Sequence, residues 1–185
     1  MTKKNILLKK FLEMLKQAGK EMIDENCFKL EIAGSDNSKQ FERSYCYELY
    51  HHLKSLMKDV FPLKLHPEIN KANHPIISVS VGKVIPDFII HEPNEMDQNL
   101  IVIEVKPYRN GNIKGMEEDV EKLNGFIKNA GYYRGIMYIF SNENLREPPD
   151  RIKSEMMYLR RNVGNKLLFV WHGGPGLEPN IVTFD

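Results

Sequence analysis

The sequence predicts an α/β fold, a mixed β-sheet flanked by helices, and three observations carry the prediction. Amphipathic helical stretches alternate with short apolar runs of strand length. One run, Leu100–Lys106, opens with four apolar residues and reads as the best strand of the chain. No linker, internal repeat or low-complexity segment interrupts the 185 residues, a length that suits one core. Residues 1–35 read as a helical extension and 36–185 as the main domain, together forming one compact unit.

The elements follow in order. Asn5–Met22 is a helix, because Leu8, Phe11, Leu12 and Leu15 recur at helical spacing. Gly34–Ser38 is a loop of glycine and polar residues. Lys39–Lys58 is a second helix with Tyr45, Leu49, His52, Leu53 and Leu56 on its period, and Pro62 ends it. Lys64–Ile69 contains Pro67, which donates no ladder hydrogen bond, so it reads as an edge strand. Ile76–Val81 is strand or loop, and Val84–Ile90 is a clearer strand. A polar turn at Glu92–Gln98, holding Pro93 and Asn94, leads into Leu100–Lys106. After a loop at Pro107–Gly115, a helix at Met116–Asn129 aligns Val120, Leu123 and Ile127. Gly135–Phe140 is a strand, Pro149–Asn162 a helix and Lys166–Trp171 a strand. Gly173–Gly176 turns the chain into a short final strand at Ile181–Phe184.

Composition narrows the function classes. Hydrophobic residues make up 42% and charged residues 28%, the balance of a soluble globular protein. The net charge of +1 offers no global attraction to a polyanion, so any nucleic-acid contact rests on local patches. Two cysteines, Cys27 and Cys46, are too few for a disulfide framework or a zinc site, which points to a reducing, cytoplasmic setting. Ile6-Leu7-Leu8 is too short for a signal core, and no apolar run is long enough to span a bilayer, so no membrane partner is expected.

The chemistry-bearing pattern is Pro86-Asp87 followed by Glu104-Val105-Lys106. In Val84–Ile90 a single acid interrupts an apolar segment, and in Leu100–Lys106 an acid and a base end another. Side chains alternate along a strand, so Glu104 and Lys106 share a face, and pairing of the two strands brings Asp87 beside them. Buried charges need partners or a metal. Two carboxylates with an ammonium suit Mg²⁺ and a substrate phosphate, hence metal-assisted phosphodiester chemistry. The plain alternative is an exposed ion pair at a strand end.

These residues resemble the PD-(D/E)XK nuclease superfamily, the restriction-endonuclease-like fold, over about Gln40–Phe140. The resemblance implies an αβββαβ core and a metal-dependent nuclease acting on DNA in preference to RNA, with a homodimer as one arrangement for cutting duplexes. It implies Asp87, Glu104 and the Val105 backbone carbonyl as ligands of Mg²⁺ or Mn²⁺, and Lys106 as the group that holds or deprotonates the attacking water. It also implies a carboxylate on the preceding helix, where Glu48 fits and Glu42 competes. Glu68 is a weaker candidate on the first strand, and Asp119 and Lys122 stand on the following helix. The alternative is a nuclease-like fold that binds nucleic acid or protein without cleaving.

Other features read more simply. Tyr108 and Arg109 follow the motif within reach of a phosphate. His51 and His52 are adjacent on a helix and do not share a ligand site. Arg151, Lys153, Arg160 and Arg161 form a basic helix face that reads as solvated surface. Gly173–Gly176 lacks the Lys and Ser/Thr of a phosphate loop.

Overall fold

A computed structural model describes residues 1–29, 42–68, 85–109 and 113–184. The loop at Gly34–Ser38, the helix start at Lys39, the segment Ile76–Val81 and the strand start at Val84 lie outside them. Five helices are described: α1 (Lys3–Glu21), α2 (Glu25–Phe28), α3 (Glu42–Met57), α4 (Met116–Asn129) and α5 (Asp150–Val163). Six strands are described: β1 (Lys64–Pro67), β2 (Phe88–His91), β3 (Ile101–Pro107), β4 (Arg134–Phe140), β5 (Leu167–His172) and β6 (Asn180–Ile181). The single-turn α2 carries no periodic signal; its start is set by Asp24, whose carboxylate caps the Asn26 N–H at 2.9 Å.

The strands form one mixed sheet in chain order, β1-β2-β3-β4-β5-β6. β1, β2 and β3 pair antiparallel, β3, β4 and β5 run parallel, and β6 returns antiparallel. β1 lies at the edge with Pro67 at its last position, where a missing N–H is tolerated. β2 is shorter than the apolar run suggested. Ile85 is 46% exposed, and Pro86 has no N–H to offer a ladder, so pairing with β3 begins at Phe88.

The two-residue period of the strands separates two cores. Ile101, Ile103 and Val105 of β3 and Ile136, Tyr138 and Phe140 of β4 pack under α1 and α3, against Phe11, Leu15, Tyr45 and Leu49. Val102, Met137, Ile139, Phe169 and Trp171 face the other way, under Val120, Leu123 and Phe126 of α4 and Ile152 and Met156 of α5. Central strands covered on both faces are therefore almost continuously apolar, and each fully buried side chain contributes about 1.5–3 kcal/mol. α1 supplies Leu8, Phe11 and Leu15 to the same core as α3. No helix among the described residues is long and apolar enough to cross a membrane.

Candidate active site

Strand parity decides which polar residues meet. Glu104 and Lys106 alternate with Ile103 and Val105, so they point with Val102 toward α4. The register Phe88↔Ile103 brings Asp87, one residue earlier, opposite Glu104. Among the described residues the edge of β3 beyond Phe88 has no ladder partner on that side, and the Asp87 carboxylate takes its place. Its Oδ2 accepts the Val105 N–H at 2.7 Å.

The lysine is held from two helices. Lys106 Nζ lies 3.0 Å from Asp119 Oδ2 on α4 and 3.5 Å from Glu42 Oε2 at the start of α3. Lys122 Nζ approaches the other Asp119 oxygen at 2.6 Å. Asp119 is only 2% exposed and bridges both lysines, which compensates the burial of its charge. Glu104 is 4% exposed, and its Oε1 is buried without a hydrogen-bond partner among the described residues.

The carboxyls are accordingly reluctant acids. Burial pushes Glu104 up to about 9; the charge of Asp87 adds to this, and Lys122 is the chief opposing influence. Burial likewise raises Asp87 to about 6, against the hydrogen bond from Val105. For Lys106 burial favours the neutral amine, but the Asp119 hydrogen bond and the Glu42 charge outweigh it and raise the pKa. Lys106 is thus a persistent ammonium. Cys46 sits among the same acids: burial first, then Asp87, Glu42, Glu68 and Glu104, keep its thiol protonated.

Glu48 is not brought to this cluster. Its Oε1 lies 3.1 Å from His52 Nε2, and His52 Nδ1 lies 3.3 Å from Glu21 on α1. Six residues separate Glu42 from Glu48, about 240° around a helix, so one carboxylate reaches Lys106 while the other turns toward α1. Of the two carboxylates expected to compete for this place, Glu42 reaches Lys106 and Glu48 is turned to His52. Glu68 lies nearby: its N–H donates to the Asp87 carbonyl at 3.0 Å, and its carboxylate is 3.7 Å from Arg43 Nε.

Asp119 and Lys122 carry more of the site than a solvated helix pair would. The signal was legible, since an acid at position 119 falls on the buried stripe with Met116, Val120 and Leu123. Tyr108 is buried edge-on against Trp171 at 5.3 Å, which withdraws its ring from any phosphate. Arg109 is exposed. His52 is engaged by Glu21 and Glu48, and the His51 and His52 rings meet edge-on at 5.6 Å. Arg151 and Arg161 are exposed on α5, and Arg160 lies 5.1 Å from the Phe184 ring.

Among the described residues no three His, Cys, Asp or Glu side chains are grouped so as to hold a metal ion. Asp87 and Glu104 make an open pair instead, and Mg²⁺ ordinarily takes only one or two carboxylates and keeps water on its remaining positions. A buried Glu104 oxygen with no hydrogen-bond partner, beside the Asp87 carboxylate, is a donor set into which a divalent cation fits. Set against known proteins, the chain matches no family model and has no significant match to a curated protein or a solved structure.

Proposed function

We propose that this protein is a metal-dependent nuclease that hydrolyses phosphodiester bonds, with DNA as the substrate. The observation that carries the reading is the buried, unpartnered Glu104 oxygen beside Asp87, with the Lys106 ammonium on the same face. The order α3-β1-β2-β3-α4-β4 supports a restriction-endonuclease-like αβββαβ core.

A divalent cation held by Asp87, Glu104 and the Val105 carbonyl would lower the pKa of a bound water and offset charge on the phosphoryl group. The chain's own residues supply the rest. Lys106 donates to a phosphoryl oxygen as a charged group; its raised pKa removes it as the proton acceptor at neutral pH. Asp119 and Glu42 aim that ammonium, and Lys122 holds Asp119 in turn. Asp87 positions the turn into β2 through its bond to Val105. The two free cysteines suit a cytoplasmic setting.

A second reading, a nuclease-like fold that binds without cleaving, is favoured by the two carboxylates already on Lys106. Cleavage of labelled DNA in Mg²⁺ or Mn²⁺ against EDTA separates them. The nuclease reading expects metal-dependent cleavage that falls about 100-fold or more in Lys106→Ala and Asp87→Asn, with circular dichroism unchanged. Cleavage by Asp87→Asn at the wild-type rate would overturn it.

A further inference from the structure

α3 carries a second pattern that the catalytic cluster leaves unused. Arg43, Tyr47, Tyr50, His51 and Lys54 fall on one sector of the helix at intervals of three and four, and Lys58 continues the row in the following turn. The buried stripe of Tyr45, Cys46, Leu49, Leu53 and Met57 occupies a different sector. No acid stands among the row; Glu42 and Glu48 lie to either side of it. Arg43, Tyr47, His51, Lys54 and Lys58 are exposed and Tyr50 is half-buried, with Tyr47 at 60%. An exposed tyrosine in a row of cations is not required by the core.

The row has direction. Arg43 adjoins Glu42 and reaches Glu68, at the rim of the candidate site. Tyr50 lies parallel to Phe88 at 6.4 Å, one residue from Asp87. Lys54 lies 5.9 Å from the Tyr50 ring centre. The row runs about 22 Å from Arg43 to Lys58, and from Tyr47 onward it borders a cavity of about 900 Å³ lined by Tyr47, Tyr50, Lys54, Lys58 and Lys64, with Asp59 as its one carboxylate. Among the described residues no carboxylate lies within ion-pair distance of Lys54, Lys58 or Lys64.

We propose that this row is the binding track of a single-stranded nucleic acid, whose phosphates follow the cations and one of whose bases stacks on the exposed ring of Tyr47. A chain of phosphates complements ammonium groups spaced along one line, and every unpaired base offers a face to an exposed aromatic ring. A duplex hides those faces, so the single strand is the form that fits. The small net charge of the whole chain makes such a local stripe the place for polyanion binding. The track deepens the nuclease reading by naming the strand form and its path, and it rests on that reading only for the strand's leading to Asp87.

Fluorescence anisotropy with a labelled oligothymidine in EDTA tests the track without cleavage. Tyr47→Ala is expected to weaken binding about 5- to 100-fold, and Tyr47→Phe to keep it. Lys54→Gln with Lys58→Gln is expected to flatten the slope of log affinity against log salt by about 1.4. Lys153→Gln with Lys166→Gln, on another part of the surface, is expected to leave both readouts unchanged. Wild-type affinity in Tyr47→Ala together with an unchanged salt slope in the lysine variant overturns the proposal, as does equal binding of a duplex. Binding that follows these expectations, in a protein that cleaves nothing in Mg²⁺ or Mn²⁺, keeps the track and removes the nuclease reading.

Discussion

A carboxyl group shut away from water and from donors keeps its proton until another charge arrives, and Glu104 is in that position. Its folded pKa, about 9, lies above the ordinary carboxylate range, so between those values the folded state binds more protons than the unfolded chain. The protein without metal is therefore expected to lose stability as pH rises through that window, keeping the full contribution only below it. Urea unfolding in EDTA at several pH values should show this loss, and Glu104→Gln should remove most of it; an unchanged slope in the variant contradicts the assignment. His172 acts in the opposite sense. Burial lowers its pKa to about 4, against the pull of the Leu177 and Gly174 carbonyls, and Tyr45 Oη lies 2.5 Å from its Nδ1. The folded state resists protonation that the unfolded chain accepts, so stability contributed by neutral His172 is lost as pH falls from about 6.5 to about 4, by up to roughly 3 kcal/mol. Asp87, Glu104 and Lys106 were legible as a group because the strand period is fixed at two. The period of α4 marks Asp119 as an acid on the buried stripe, but not which lysines it bridges, because that depends on how α4 packs against β3.

Among the elements, α3 shows where the sequence stops deciding. Its apolar period was plain, but the angle at which a helix lies on a sheet comes from ridge-and-groove packing with distant residues. The choice between Glu42 and Glu48 could not be made without it. Glu42→Gln is expected to lower cleavage about 10-fold or more by loosening Lys106, while Glu48→Gln leaves the rate within about twofold; cleavage kinetics on both variants check this, and the reverse pattern would return the role to Glu48. The apolar run Val84–Ile90 overstates β2, because such a run does not reveal where ladder partners end. The glycines after β5 mark a turn but do not reveal its tight packing. A Cβ on Gly173 would lie 1.6 Å from the Leu145 carbonyl oxygen, which also accepts the Trp171 indole N–H at 2.7 Å. Gly173→Ala is expected to cost more than about 3 kcal/mol, measured by chemical unfolding, since main chain must move to admit it.

For the whole molecule, the alternation of helix and strand was enough to predict α/β layers, because each amphipathic face has to be buried against something. The chain-order sheet and its switch from antiparallel to parallel at β3 were not readable, since they depend on which strands meet across long connections. That switch matters to the site. β3 belongs to the antiparallel half through Asp87 and to the parallel half through β4, and the charged cluster stands at its carboxyl end, where open α/β sheets place ligands. The proposed chemistry requires Asp87 and Glu104 to hold a divalent cation there. Anomalous diffraction from crystals soaked in Mn²⁺ tests it most directly, because it needs no choice of substrate. A peak within about 2.0–2.3 Å of oxygens from both side chains is the predicted result. An empty site at saturating Mn²⁺, with Glu104 still without a partner, would contradict it.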